Sequence, residues 1–307
     1  MFLFFPSKIF KWKLFKVFII IILFIIEIII YKSIYLSNLK LIKVCLCTIG
    51  KKENKYASEY VEYYKNYGVD KIFIYDNNDI NGELFENVLS DYISKGFVEI
   101  INYRGLLHPQ LKMLNDCYNK NYQKYDWFIM FDMDEYINLK NYTNIKNYLN
   151  SGKFKNCQVI YFSRAFHTDN NQIYYRNRSL FERFPKSIYN VFSVKPILRG
   201  HIINAKINDN HLINKQYQRC YSFGQKYIKN YDFKNYFIEH FYFKSTEEFI
   251  EKMIKGDVYY NNTFDIQRNK LLYYLNSNNM TKEKINYIEK KTGIKLSDFK
   301  NITMNKK

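Results

Sequence analysis

Two periods of apolar and polar residues alternate along this chain, and each switch between them marks an element. Residues 41–49 (LIKVCLCTI) are nearly continuous in apolar character and read as a buried strand. Tyr56, Tyr60, Val61, Tyr64 and Tyr67 then recur at helical spacing and stop at Gly68, a residue suited to closing a helix. Residues 71–75 (KIFIY) give a second strand that ends in Asp76, Asn77, Asn78 and Asp79. A helix carrying Leu84, Phe85, Val88, Leu89, Tyr92 and Ile93 follows, closed by Gly96, and residues 97–101 form a third strand. Pro109 opens a helical stretch to about Tyr125, after which 126–137 (DWFIMFDMDEYI) reads as a strand running into acid. Strands and helices alternating in this way predict an α/β fold with a mostly parallel sheet and helices on both faces. Ligands of such sheets bind beyond the carboxyl ends of the strands, where Thr48, Asp76 and Asp132 fall.

Past residue 158 the pattern loosens. Residues 158–164 suggest one more strand, and 166–215 read as polar, loop-rich and studded with aromatics. Ser245 and Glu248 form a capping box for a helix that stops at Gly256, and amphipathic helices over 264–275 and 282–291 close the chain. No internal repeat and no Gly/Ser linker marks a further folded unit.

The three carboxylates Asp132, Asp134 and Glu135 carry the candidate chemistry. Like charges this close cannot all stay ionised without a cation or strong hydrogen bonds. In an extended segment Asp132 and Asp134 share a face. Two hard oxygen ligands there suit a divalent cation, whose other positions phosphate oxygens and water would fill. The plain alternative is a strand followed by an acidic turn.

Composition changes the picture at the ends more than in the middle. The 307 residues carry a formal net charge of +18, but Lys is spread along the whole length. No nucleic-acid-binding signature accompanies the charge, so nucleic acid is not an expected partner. Residues 17–30 (VFIIIILFIIEIII) follow Lys8, Lys11, Lys13 and Lys16 and, with the stretch to Leu36, approach the ~20 residues that span a bilayer. Glu27 would cost ~2–3 kcal/mol at mid-depth. The expectation is a membrane protein: a cytoplasmic stub and single anchor over 1–37, a catalytic domain over 38–260, and a helical extension over 261–307. Five cysteines in an odd count without a CxxC pair indicate neither a disulfide framework nor a zinc site.

Four blocks in order resemble the GT-A fold glycosyltransferases of family 92 and their bacterial family-2-like relatives. These are KKENKYASEYVEYYKNYGVDKIFIYDNND, PQLKMLNDCY with DWFIMFDMDEYI, VKPILRG with His211 downstream, and EHFYFKSTEEFIEKMIKGD. Phe241, Lys255, Tyr60 and the order Glu53-Asn54 depart from the family pattern. The resemblance implies a nucleotide-sugar donor, UDP-linked by preference, and a hexose, galactose in the best-known branch, moved with inversion to a glycan or glycoprotein acceptor. It implies that Asp132 and Asp134 hold Mn²⁺ or Mg²⁺ against the donor diphosphate, with His211 or His240 completing the shell. Asp76, Thr48 and Glu53 would lie near the nucleotide, while Gln110, Asn115 and Asp116 brace the site. Glu135 and Asp169 are the candidate general bases, Glu135 serving otherwise as a hydrogen-bond acceptor. A catalytically inactive sugar-binding relative is the second reading. A sugar nucleotidyltransferase would need a Gly-rich phosphate loop, and TIGKKENK offers one glycine.

Overall fold

The computed structural model describes residues 17–30, 42–209, 217–221, 235–255 and 264–299. Two compact units make up the chain, residues 1–41 and 42–307. In the first, residues 17–30 form a helix, α1, with every side chain exposed. Among the described residues no helix is long and apolar enough to cross a membrane.

The second unit is built on a nine-stranded sheet. Its first half follows the expected alternation. Strand β1 (Val44–Gly50) leads to α2 (Asn54–Asn66), β2 (Lys71–Asp76) to α3 (Glu86–Ser94), and β3 (Val98–Asn102) to α4 (Gln110–Asn121) and then β4 (Trp127–Ile129). These four strands pair in parallel in the order β3-β2-β1-β4. Alternate residues of β1 serve two cores: Val44 and Leu46 pack with α2 and α3, whereas Cys45, Cys47 and Ile49 pack with α4. Helices therefore cover both faces, as expected.

The second half corrects the expectation of a mostly parallel sheet. After β5 (Glu135–Leu139), α5 (Ile145–Leu149), β6 (Val159–His167) and α6 (Leu180–Arg183) comes β7 (Ser187–Arg199). It runs antiparallel to both β4 and β6, where only loop was expected. β8 (Arg219–Tyr221) and β9 (Tyr236–His240) pair in parallel with β6, and β9 pairs antiparallel with β5. The sheet is mixed.

The order β4-β7-β6-β9-β5 has a geometric consequence. In a flat sheet β5 would stand about 19 Å from β4, yet only residues 130–134 join them. Fully extended, that link reaches about 20 Å, and it also contains a turn in which the Glu135 N–H donates to the Asp132 carbonyl. The sheet must curl to close the gap. α2 lies along the link, with the Tyr60 and Tyr64 hydroxyls donating to the carbonyls of Phe131 and Glu135. Gly50 permits the approach of the link to β1, because a Cβ there would meet the Met133 sulfur and the Phe85 ring at 2.5 Å.

After β9 come α7 (Thr246–Lys255), α8 (Phe264–Ser277), α9 (Lys282–Thr292) and a 3₁₀ turn at Leu296–Phe299. Phe249, Ile250 and Met253 of α7 share a separate core with Leu271, Tyr274 and Ile288. The absence of a disulfide framework is also overturned: Cys47–Cys117 ties β1 to α4, and Cys157–Cys220 ties the approach to β6 to β8. Cys45 is the remaining, buried thiol.

Candidate active site

The acidic segment is a turn between two strands, not the end of one. Asp132 and Asp134 accordingly do not sit on the extended backbone from which a shared face was expected. Glu135 is the first residue of β5, fully buried, and its carboxylate accepts the Asp132 N–H at 3.0 Å, which fixes the turn. The register of the curled sheet then gathers the partners. Glu135 lies opposite His240 at the end of β9, and Arg164 of β6 sits one strand further.

Each acid has its own cation. Asp132, one third exposed, accepts from Gln110 Nε2 at 3.0 Å and from Lys195 Nζ at 2.6 Å. Asp134 is buried, 2.6 Å from Lys252 Nζ and 3.4 Å from His240 Nε2. Glu135 accepts from Arg164 at 3.0 Å and lies 3.5 Å from Lys195. Burial alone would push the Asp134 carboxyl up, but Lys252 and His240 outweigh it and hold the group well below the usual carboxylate range. Burial likewise disfavours charge on Lys195, yet Asp132 and Glu135 raise its pKa. His240 is pushed down by burial against the pull of Asp134, which favours a neutral ring able to take a metal.

Asp134 and His240 fit as adjacent ligands of one divalent cation, since a carboxylate oxygen and an imidazole nitrogen 3.4 Å apart match bonds of about 2.0–2.2 Å each. The other imidazole nitrogen of His240 faces both Arg164, at 3.4 Å, and the Glu135 carboxylate, at 3.9 Å. Asp132 is turned toward Gln110 and Lys195. Among the described residues no three metal-ligating side chains converge, so further ligands would come from donor oxygens and water. His211 lies outside the described residues.

The remaining expected residues divide clearly. Gln110 braces Asp132 as anticipated, whereas Asn115 holds the backbone at Ile207 and Asp116 accepts from Tyr75. Asp76 is committed to Arg104 at 2.6 Å and to the Asn78 N–H, while the same guanidinium donates to the carbonyls of Asp79, Ile80, Gly82 and Glu83. Asp76 thus orders the loop after β2. Thr48 is buried within β1 beside the Tyr60 phenol. Asp169 does not join the cluster: it is buried, held by Lys284 at 2.6 Å and by the Tyr274 hydroxyl, and fastens α8 and α9 to the body.

A cavity of about 480 Å³ adjoins the acids through Lys252, within the range of small-molecule sites. Lys52, Glu53, Tyr56, Phe243 and Lys244 also line it. Glu53, expected near the nucleotide, faces this cavity and pairs with Lys244 at 3.1 Å. Lys195 and Lys252 fall inside the blocks VKPILRG and EHFYFKSTEEFIEKMIKGD that carry the resemblance but were given no site role, and Arg164 was passed over.

An acidic turn that follows the last strand of a parallel half-sheet, on a curled mixed sheet, is consistent with a GT-A-like fold. Residues 40–305 match the profile of glycosyltransferase family 92. The chain belongs to that family and is a glycosyltransferase. No curated protein matches it. Among solved structures it is similar to S. aureus TarS 1–349 in complex with UDP-GlcNAc (10% identity, TM-score 0.38, covering 85% of this chain and 76% of that one). A second TarS structure aligns with 11% identity and a TM-score of 0.37 over 76% of this chain, which spans only 43% of it. UDP-glucose pyrophosphorylase complexed with UDP-glucose aligns with a TM-score of 0.26 and 11% identity, over 66% of this chain and 90% of that one.

Proposed function

We propose that the chain transfers a hexose from a nucleotide-sugar, a UDP-sugar by preference, to a hydroxyl of a glycan or glycoprotein, with inversion. The observation that carries this reading is the Asp134–His240 pair at the edge of a lysine-lined cavity, within a domain of family 92. In the reaction the bond between the anomeric carbon and the diphosphate oxygen breaks, and its electron pair leaves with the nucleoside diphosphate. The acceptor oxygen bonds to the opposite face of that carbon, and its proton passes to a base. Glu135 is held by Arg164 and Asp169 by Lys284, so neither is assigned as that base. Mn²⁺ or Mg²⁺, when bound, would neutralise charge developing on the leaving diphosphate, and Asp134 and His240 would hold it. Gln110 and Lys195 keep Asp132 in place.

Residues 1–37 are read as a membrane anchor with a cytoplasmic N-terminus. The two disulfides favour an oxidising compartment for the catalytic unit. The test is nucleotide-sugar hydrolysis by the full chain in detergent, screened over UDP-, GDP- and CMP-sugars with and without Mn²⁺. Metal-stimulated hydrolysis of one donor, abolished in Asp134→Ala, is the expected result. Full activity of that variant would sink the reading.

A further inference from the structure

Lys252 has two neighbourhoods at once. Its ammonium group sits 2.6 Å from Asp134 and 4.3 Å from the centre of the Tyr242 ring, while its side chain lines the cavity. Three other lysines line the same space, Lys52 after β1, Lys55 on α2 and Lys244 after β9. Lys52 and Lys244 hold left-handed backbone, with φ of 57° and 54°. Non-glycine residues in that region are strained and gather at ligand sites. Lys244 is already engaged by Glu53 and lies over the Tyr56 ring at 3.6 Å.

A divalent cation and an ammonium cannot both sit against one buried carboxylate without strong repulsion. The Asp134 oxygen that Lys252 occupies is adjacent to the one facing His240. A cation taken by Asp134 and His240 therefore expels the ammonium, and the open direction is the cavity that Lys252 lines. Glu53, Glu83, Glu248 and Glu251 also line that space. Glu53 is paired with Lys244, Glu248 with Arg183 and Glu251 with Lys55, and Glu83 accepts the Asn54 N–H. An anion is therefore the partner that suits the ammonium there. Resting on the donor reading above, we propose that Lys252 is a positioning residue that couples two binding events. It neutralises Asp134 when the site is empty and pairs with the diphosphate of a nucleoside diphosphate when a divalent cation takes Asp134. The coupling makes the cation weak by itself, because it must displace an internal rival. It makes the diphosphate tight only with the cation present, because only then is the ammonium released.

The experiment is calorimetric titration of the full chain in detergent with Mn²⁺ alone, and with UDP or GDP at saturating Mn²⁺. In Lys252→Met, Mn²⁺ alone should bind more tightly, on the order of tenfold, while the nucleotide should bind more weakly by a comparable factor. Lys252→Arg, which keeps the charge, should stay near the parent in both. Opposite signs are the mark of the coupling, because a merely structural lysine would weaken both ligands together. Unchanged constants, or both weaker at an unaltered melting temperature, overturn the proposal. Should Lys252→Met lower the melting temperature, Lys252→Gln is read by the same two constants. A parent protein that binds Mn²⁺ but neither nucleotide, and hydrolyses no donor, fails the transferase reading instead. The Mn²⁺ constant of Lys252→Met still tests the rivalry at Asp134.

Discussion

At the scale of single residues, the acidic turn depends on Glu135 more than on either aspartate. Glu135 is fully buried, accepts the Asp132 N–H and pairs with Arg164 and Lys195. Removing its charge leaves two buried cations short of a partner, a change that costs about 3–5 kcal/mol when a buried pair is broken. Glu135→Gln should therefore lower the unfolding free energy by about that amount in a denaturant titration, and a loss of turnover should follow from the loosened turn. A variant of undiminished stability that is nevertheless inactive would return Glu135 to the role of general base. The acids themselves were legible in the sequence, because three carboxylates after an aromatic strand have few structural reasons to be there. Their backbone setting was not: extended chain was expected, and the Glu135 N–H instead closes a turn on the Asp132 carbonyl. Lys252 lies within the EHFYFKSTEEFIEKMIKGD block, but no site role was read for it, since a lysine on an amphipathic helix ordinarily reads as part of a solvated face.

At the scale of elements, local signals succeeded where a segment's partners were near in sequence and failed where they were distant. The alternation of β1 to β3 with α2 and α3 was readable because these strands pair in succession through single crossovers, while β4 returns to pair with β1. β7 was missed because Lys195 and Pro196 interrupt its apolar pattern, and proline argues against a central strand. Pro196 is accommodated opposite Tyr161, close to the irregularity in register between Ser163 and Arg164. The capping box of α7 was read correctly: the Ser245 N–H donates to Glu248, and the Glu248 N–H donates to the Ser245 hydroxyl. The sequence did not reveal that Glu248 also accepts from Arg183 and Tyr56. Burial would push the Glu248 carboxyl up, but the hydrogen bonds from Arg183, Ser245 and Tyr56 prevail and hold it below its ordinary 4.5. A depressed carboxyl contributes stability above its unfolded pKa and loses it as the pH falls through the folded value. The melting temperature should thus decline as acid is added below about pH 4.5. In Glu248→Gln that part of the decline should be missing, from a lower starting point. An identical acid limb in both proteins would show that the cap does not titrate with folding.

At the scale of the whole molecule, the cysteines decide where such a chain can be stable. Each disulfide closes a long stretch, 70 residues between Cys47 and Cys117 and 63 between Cys157 and Cys220. Loop-closure entropy at these separations is worth about 4 kcal/mol per bridge, a large share of the ~5–15 kcal/mol that folded domains possess. Nothing in the spacing announced them, since pairs this far apart carry no motif and an odd count points away from a framework. The fold supplies the reason they pair: β1 runs beneath α4, bringing Cys47 to Cys117, and β8 lies against β6 beyond Cys157. Bridges of this kind persist in oxidising surroundings and are reduced in the cytosol. Alkylation of the unfolded, unreduced chain, followed by mass measurement, should add one label, at Cys45, and reduction beforehand should raise this to five. The melting temperature should drop sharply with reductant. Five labels without reduction, in protein purified from its native source, would place the catalytic unit in reducing surroundings. In that case the curled sheet and the α7–α9 core would have to hold the site together without covalent help.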